Sequence, residues 1–221
     1  MNLLALDTSS ENVSLSIMQK GKIVIDFNKR INFGASKLIG YINKNIKKAS
    51  LGLADFDAFI IGAGPGSFTG LRISFSIIKA FVMVTQKPAF AIGSFFSCAS
   101  PLRDKARRIT VISDARRNSV YCASFEYRNG VLNRCSREKL IKIDKLAVEG
   151  ENRESLFVTY DSCLRKQFLD YNSDVNFYPY NVYPSARHLI SCVEKDLDRK
   201  KFTALRELEP IYLHPKTCQI R

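Results

Sequence analysis

The sequence predicts an α/β protein of two lobes, each with a mixed sheet and flanking helices. Three observations carry this. The first 27 residues alternate like an antiparallel meander. Residues 36–93 then alternate helix-period and strand-like runs. A further β-rich stretch begins near residue 109, after the polar run "DKARR". The expected division is 1–104 and 105–221, with the last segment packing back on the first lobe.

The elements follow in order. "LLALDTS" (Leu3 to Ser9) is a buried strand ending in a turn, and "VSLSIMQ" (Val13 to Gln19) is a half-buried one. Lys20-Gly21 turns the chain into "KIVIDF" (Lys22 to Phe27). Ser36 is placed to cap a helix to Ala49, with Leu38, Ile42, Ile46 and Ala49 on one stripe and Gly52 as its stop. "DAFIIGAG" (Asp57 to Gly64) is a fourth strand and runs into a glycine-rich loop. A helix is expected from Ser67 to Thr85, with two adjacent stripes: Leu71, Phe75, Ile78 and Val82, then Gly70, Ser74, Ile77 and Phe81. So broad an apolar surface fits a helix packed on two sides, or one side on the sheet and one on a partner. "PAFAIG" (Pro88 to Gly93) is a fifth strand. Residues 109–130 form a hairpin around Asp114–Asn118, Ser155–Tyr160 is a short strand, and Tyr183–Leu197 is a helix.

Composition bounds the chemistry. The chain has 221 residues, 46% hydrophobic and 25% charged, as a globular protein has. No signal peptide and no apolar run of membrane-spanning length are expected. The six cysteines form no C-x-x-C pair, which disfavours a structural zinc or iron–sulfur site and fits free thiols in a reducing compartment. With only two histidines, His188 and His214, histidine-based metal catalysis is hard to build. The net charge of +13 fits either a nucleic-acid partner or dispersed compositional bias; the lysines are dispersed except at Lys47–Lys48 and Arg199–Lys201.

The loop "GAGPGSFTGLR" (Gly62 to Arg72) invites comparison with phosphate loops. A P-loop needs Lys and Ser/Thr after its last glycine; here Leu71 and Arg72 follow Gly70. A dinucleotide loop needs G-x-G-x-x-G; Ser67 and Thr69 stand where the last glycine should be. What remains is the general attraction of a helix N-terminus for anions, against the plainer role of a tight strand-to-helix turn capped by Ser67 or Thr69. "ALDTS" (Ala5 to Ser9) puts Asp7 and Thr8 at a strand end, either as magnesium and phosphate ligands or as a simple turn. "SDARRNSVY" (Ser113 to Tyr121) is a charged turn or an anion contact. Neither G-x-S-x-G nor H-E-x-x-H occurs.

Four motifs in order, "LLALDTS", "GAGPGSFTGLRIS", "SDARRNSVY" and "EPIYLH" (Glu209 to His214), resemble the TsaB (YeaZ) family of tRNA threonylcarbamoyladenosine biosynthesis. The resemblance covers nearly the whole chain. It implies two RNase H-like lobes of the actin/sugar-kinase/Hsp70 superfamily in degenerate, non-catalytic form. It implies a cytoplasmic protein, without metal or cofactor of its own, that supports a TsaD-type catalytic subunit modifying adenosine 37 of tRNA. A TsaE-type ATPase would join the assembly, tRNA would be met through the complex, and a homodimer would form when the chain is alone. Partner contact is expected on the first two helices, through Leu38, Ile42, Leu71, Ser74, Phe75, Ile78 and Phe81. Asp7, Thr8, Gly64, Gly66, Ser67 and Thr69 would be a vestigial anion or nucleotide loop. Catalytic relatives carry a histidine pair in the first helix, whereas "GASKLIGYINKNIKK" (Gly34 to Lys48) has none. The alternatives are an active ATPase of the same superfamily, a peptidase, or an independent RNA-binding protein.

Overall fold

The structure, a computed structural model, describes residues 1–30, 35–148, 154–194 and 202–214. It divides into two compact units, Met1–Ser97 with Pro184–Ile211, and Cys98–Tyr183 with Tyr212–Arg221. Both are mixed sheets with flanking helices, the predicted fold class.

The first unit is built on a five-stranded sheet in the order β3-β2-β1-β4-β5. Strands β1 (Leu3–Asp7), β2 (Asn12–Gln19) and β3 (Lys22–Arg30) form the antiparallel meander. Strands β4 (Ala58–Gly62) and β5 (Ala89–Ile92) add in parallel to β1. β1 is buried on both faces, which is why it reads as an unbroken apolar run. Leu4 and Leu6 face a core shared with α1 (Ala35–Lys48) and α2 (Phe68–Thr85). Leu3 and Ala5, one register step away, face Ala186, Leu189, Ile190 and Val193. Those belong to α6 (Ala186–Glu194), which begins three residues after Tyr183, directly after Ser185, the residue expected near its start. Residues 195–197 of that helix, the side chain of Ser36 and the basic run Arg199–Lys201 lie outside the described residues.

Two expectations are corrected. α1 stops at Lys48, and Ser50, not Gly52, takes the left-handed position after it (φ 55°), with Leu51 N–H donating back to the Ile46 carbonyl at 3.2 Å. Gly52 instead opens the short turn Leu53–Asp55. The second concerns membrane length: among the described residues one helix, Phe68–Thr85, is long and apolar enough to cross a bilayer. Its apolar breadth has a local cause. Leu71, Phe75, Ile77, Ile78 and Phe81 are buried in the core of the first unit.

The second unit has the order β10-β6-β7-β8, with β9 also on β7. β6 (Arg108–Asp114) and β7 (Ser119–Arg128) are the predicted hairpin, and β10 (Ser155–Val158) runs parallel to β6. Strands β8 (Val131–Arg134) and β9 (Lys139–Lys142) were not foreseen. Nor were the short helices α3 (Ser94–Ala99) and α4 (Ile143–Val148), or α5 (Ser162–Tyr171). α5 starts at "TYDSC": Asp161 caps it by accepting the N–H groups of Cys163 (2.9 Å) and Leu164 (3.1 Å). Leu164 and Phe168 pack it against Phe157 and Ile143.

Candidate functional site: the glycine loop and the first two helices

The loop between β4 and α2 lies on the end of β1 at backbone contact. A Cβ on Gly66 would overlap the Ser9 carbonyl oxygen, and one on Gly70 would overlap that of Thr8. Gly64 has φ +86°, where a side chain is strained. The contacts are bonded as well as close. Ser67 N–H donates to the Ser9 carbonyl at 2.7 Å. Ser67 Oγ caps α2 by accepting Gly70 N–H at 3.2 Å. Thr8 Oγ1 lies 2.8 Å from both the Gly70 carbonyl and Ser74 Oγ, sharing its proton between them. Ser74 Oγ in turn donates to the Leu71 carbonyl at 3.1 Å. Gly64 N–H donates to Ser94 Oγ at 3.0 Å, and Leu71 N–H to the Ser67 carbonyl at 2.9 Å. Several amides that could face an anion are therefore spent on the chain itself. Thr69 is exposed.

Asp7 lies beneath this loop and is 1% exposed. Its Oδ1 accepts Ser9 N–H at 2.8 Å and Ser9 Oγ–H at 2.6 Å. Its Oδ2 sits in the crook of Gly62 and Ser94 without a hydrogen bond of ordinary geometry, and a Cβ on Gly62 would overlap it. Burial raises its pKa above 3.8; the hydrogen bonds from Ser9, and the nearby Ser94 hydroxyl, pull the other way. A carboxyl so enclosed presents no reachable oxygen to a divalent cation. Among the described residues no three His, Cys, Asp or Glu side chains come together as a metal site. The loop residues named from sequence do meet here: Thr8, Gly66 and Ser67 in direct contact with one another's segments, Asp7 below them.

The residues named for partner contact are internal in this chain. Leu38, Ile42, Leu71, Ser74, Phe75, Ile78 and Phe81 are all buried in the chain's own core, Phe81 the least so at 9% exposed. Leu71, Phe75 and Ile78 of one stripe and Ile77 and Phe81 of the other lie in a single core shared with α1 and the sheet, where the Phe59 and Phe81 rings are 5.6 Å apart. The accessible apolar groups are others. Ile39 on α1 and Phe68, Met83 and Val84 on α2 are exposed, Val84 at 77%. The Arg72 guanidinium lies 3.9 Å over the Phe68 ring, a cation–π pair. Ile39, Gly40, Asn43, Leu51, Leu53 and the rim of Phe81 line a groove of about 480 Å³ beside α1. Sequence periodicity missed these residues because they fall off the stripes. The available signal was Ile39, an apolar residue next to a stripe it does not belong to.

Comparison with known proteins adds the family. Residues 35–186 match the model of the family described as "TsaD: tRNA N6-adenosine threonylcarbamoyltransferase". The TsaB protein of tRNA threonylcarbamoyladenosine biosynthesis from Bacillus subtilis is 25% identical, over 77% of this chain and 76% of its own length. That of Haemophilus influenzae is also 25% identical, over 96% and 93%. The chain belongs to the TsaD family, in its TsaB (YeaZ) group. The TsaB fold is seen directly in YeaZ from Pseudomonas aeruginosa, which superposes with a TM-score of 0.81 at 23% identity, covering 96% of this chain and 99% of that one. The TsaD-family match over residues 35–186 includes α1, the glycine loop and α2, but not the Asp7–Ser9 end of β1 on which the loop rests.

Proposed function

We propose that this TsaB-group chain is a non-catalytic subunit in bacterial tRNA threonylcarbamoyladenosine synthesis, acting in the cytoplasm by binding and supporting a TsaD-type transferase. The observation that carries the reading is the pairing of a closed loop with an open helix face. The carboxyl and amides that would serve a nucleotide are enclosed by backbone, while Ile39, Met83 and Val84 leave apolar surface on α1 and α2 uncovered. Partner contact is thereby reassigned from the buried stripes to this outer face and the groove beside it. The buried residues hold the face in shape. Any nucleotide or metal, and the TsaE-type ATPase, belong to the other subunits. A second copy of this chain would use the same face when no partner is present.

The test is reconstitution: modification of tRNA by the catalytic subunit and the ATPase, with and without this chain. Val84→Asp or Met83→Asp should leave the fold intact and abolish copurification with the catalytic subunit. Phe81→Asp should instead unfold the first unit, because it buries a charge in the core. A folded Val84→Asp/Met83→Asp protein that still copurifies and still supports modification would sink the assignment. The rival reading as an active ATPase requires calorimetric ATP binding that Asp7→Ala abolishes.

A further inference from the structure

The β6–β7 turn is the most strained backbone among the described residues that carry side chains. Arg116, Arg117 and Asn118 in succession have φ of 66°, 52° and 55°. Single left-handed residues other than glycine are uncommon, and three in a row, two of them arginine, run against the steric preference of L-residues. Such a turn persists only when its surroundings hold it. They do so on several sides. Ser119 N–H donates to the Arg116 carbonyl at 3.0 Å, and Ala115 N–H to that of Ser119 at 3.0 Å. The Lys142 ammonium donates to the Arg117 carbonyl at 2.7 Å. Ile143 N–H donates to the Asn118 carbonyl at 3.2 Å. The Asn118 amide is held by α5, accepting from Gln167 Nε2 at 3.0 Å and donating to the Tyr171 hydroxyl at 3.3 Å.

The result is a fixed cluster of cations beside an exposed ring. Arg116 is 87% exposed, and Asp114, at 3.7 Å, offsets its charge. Arg117 and Lys142 are exposed as well, and Tyr171 is 48% exposed. Glycine at either arginine position would make the turn without strain, so the backbone conformation alone does not call for arginine. We infer that this turn contacts the phosphates of an RNA, with Tyr171 as a platform for an unpaired base. Guanidinium and ammonium groups recognise phosphate, and an exposed phenol ring beside them suits single-stranded RNA better than an acidic peptide. The chain's net charge of +13 points the same way. The inference deepens the proposed function, and rests on it for the choice of tRNA as the probe.

The test uses the full chain alone and an unmodified tRNA transcript, with affinity measured across 50–200 mM salt. The variant R116G/R117G removes both charges while easing the positive φ, so its melting temperature should not fall. Its log–log salt slope should be shallower by about 1.5–2, so that between 50 and 200 mM salt the wild type loses roughly tenfold more affinity than the variant does. Tyr171→Ala should weaken binding to single-stranded RNA and spare duplex RNA. A folded R116G/R117G protein with an unchanged slope overturns the inference. So does a loss seen equally with polyglutamate, which would make the turn a general acid-binding patch. Because these readouts use the isolated chain, they stand apart from the proposed scaffold role, which copurification of the same variant with the catalytic subunit reports separately.

Discussion

Gly70→Ala and Gly40→Ala are the same chemical change in two adjacent helices, and the structure predicts opposite signs. Gly40 is exposed in the middle of α1, and a Cβ there meets nothing within 4 Å. Alanine should therefore stabilise by about 0.5–1 kcal/mol, the ordinary helix-propensity gain. Gly70, in the first turn of α2, would drive its Cβ into the Thr8 carbonyl oxygen, a backbone atom that cannot rotate away. Overpacking costs about 1–3 kcal/mol. Displacing Gly70 also loosens the Ser67 cap and the Thr8 hydrogen bond, each about 1 kcal/mol. Offset by the propensity gain, the net destabilisation is about 2–4 kcal/mol. For a chain of this size that lowers Tm by roughly 5–15 °C, whereas Gly40→Ala raises it by about 2–3 °C. Urea denaturation of both variants at one protein concentration measures the difference. If Gly70→Ala is as benign as Gly40→Ala, the loop stands off β1 and is open enough to cradle a phosphate, and the closed-loop reasoning fails.

Two further predictions concern Asp7 beneath that loop and Phe81 toward the other end of α2. Asp7 has a folded pKa above its unfolded value, so the unfolded chain releases this proton first as pH rises. Its stabilising contribution is complete below the unfolded pKa, near 3.8, and is lost as pH rises through the folded pKa, at no more than about 1.4 kcal/mol per pH unit. Asp7→Asn keeps the acceptor for Ser9 and cannot ionise, so its advantage over the wild type should grow as pH rises above 4 and level off once the folded pKa is passed. A wild-type stability that rises over this range and is flattened by Asn would mean an ionised, partnered Asp7. Phe81→Ala should cost about 3–5 kcal/mol by removing a ring packed on Phe59, and thermal melts should show it without any partner present.

The first unit was legible because its strands and helices obey one period each. β1 to β5 and α2 appear where apolar alternation and the glycine loop put them. The second unit was less so. β8 and β9 are four residues each, and exposed residues such as Val131 and Lys139 blur their alternation. α5 carries only Leu164 and Phe168 as buried anchors, although Asp161 with Leu164 three residues on was a readable start signal. The burial of the residues named for partner contact was not legible for a different reason. Periodicity shows that a side chain is apolar and which neighbours share its face. It does not show whether that face meets the sheet, the other helix or solvent. Phe81 and Val84 are alike on that criterion, yet one is 9% exposed and the other 77%.

The glycines that suggested phosphate binding owe their place to closeness of a different kind. Phosphate loops use glycine so that backbone amides can approach a ligand. Here glycine lets backbone approach backbone: Gly66 to Ser9, Gly70 to Thr8, and Gly62 to the Asp7 carboxyl. Ser74 extends the same arrangement into the helix, since its hydroxyl links Thr8 to Leu71 inside the core. Each contact that tightens this junction also removes an amide or a carboxylate from solvent. A junction of that kind fixes the direction of α2, and so the placement of Met83 and Val84 at its far end. Such rigidity suits a surface that must be presented to another subunit, and it suits poorly a loop that must open to exchange a nucleotide.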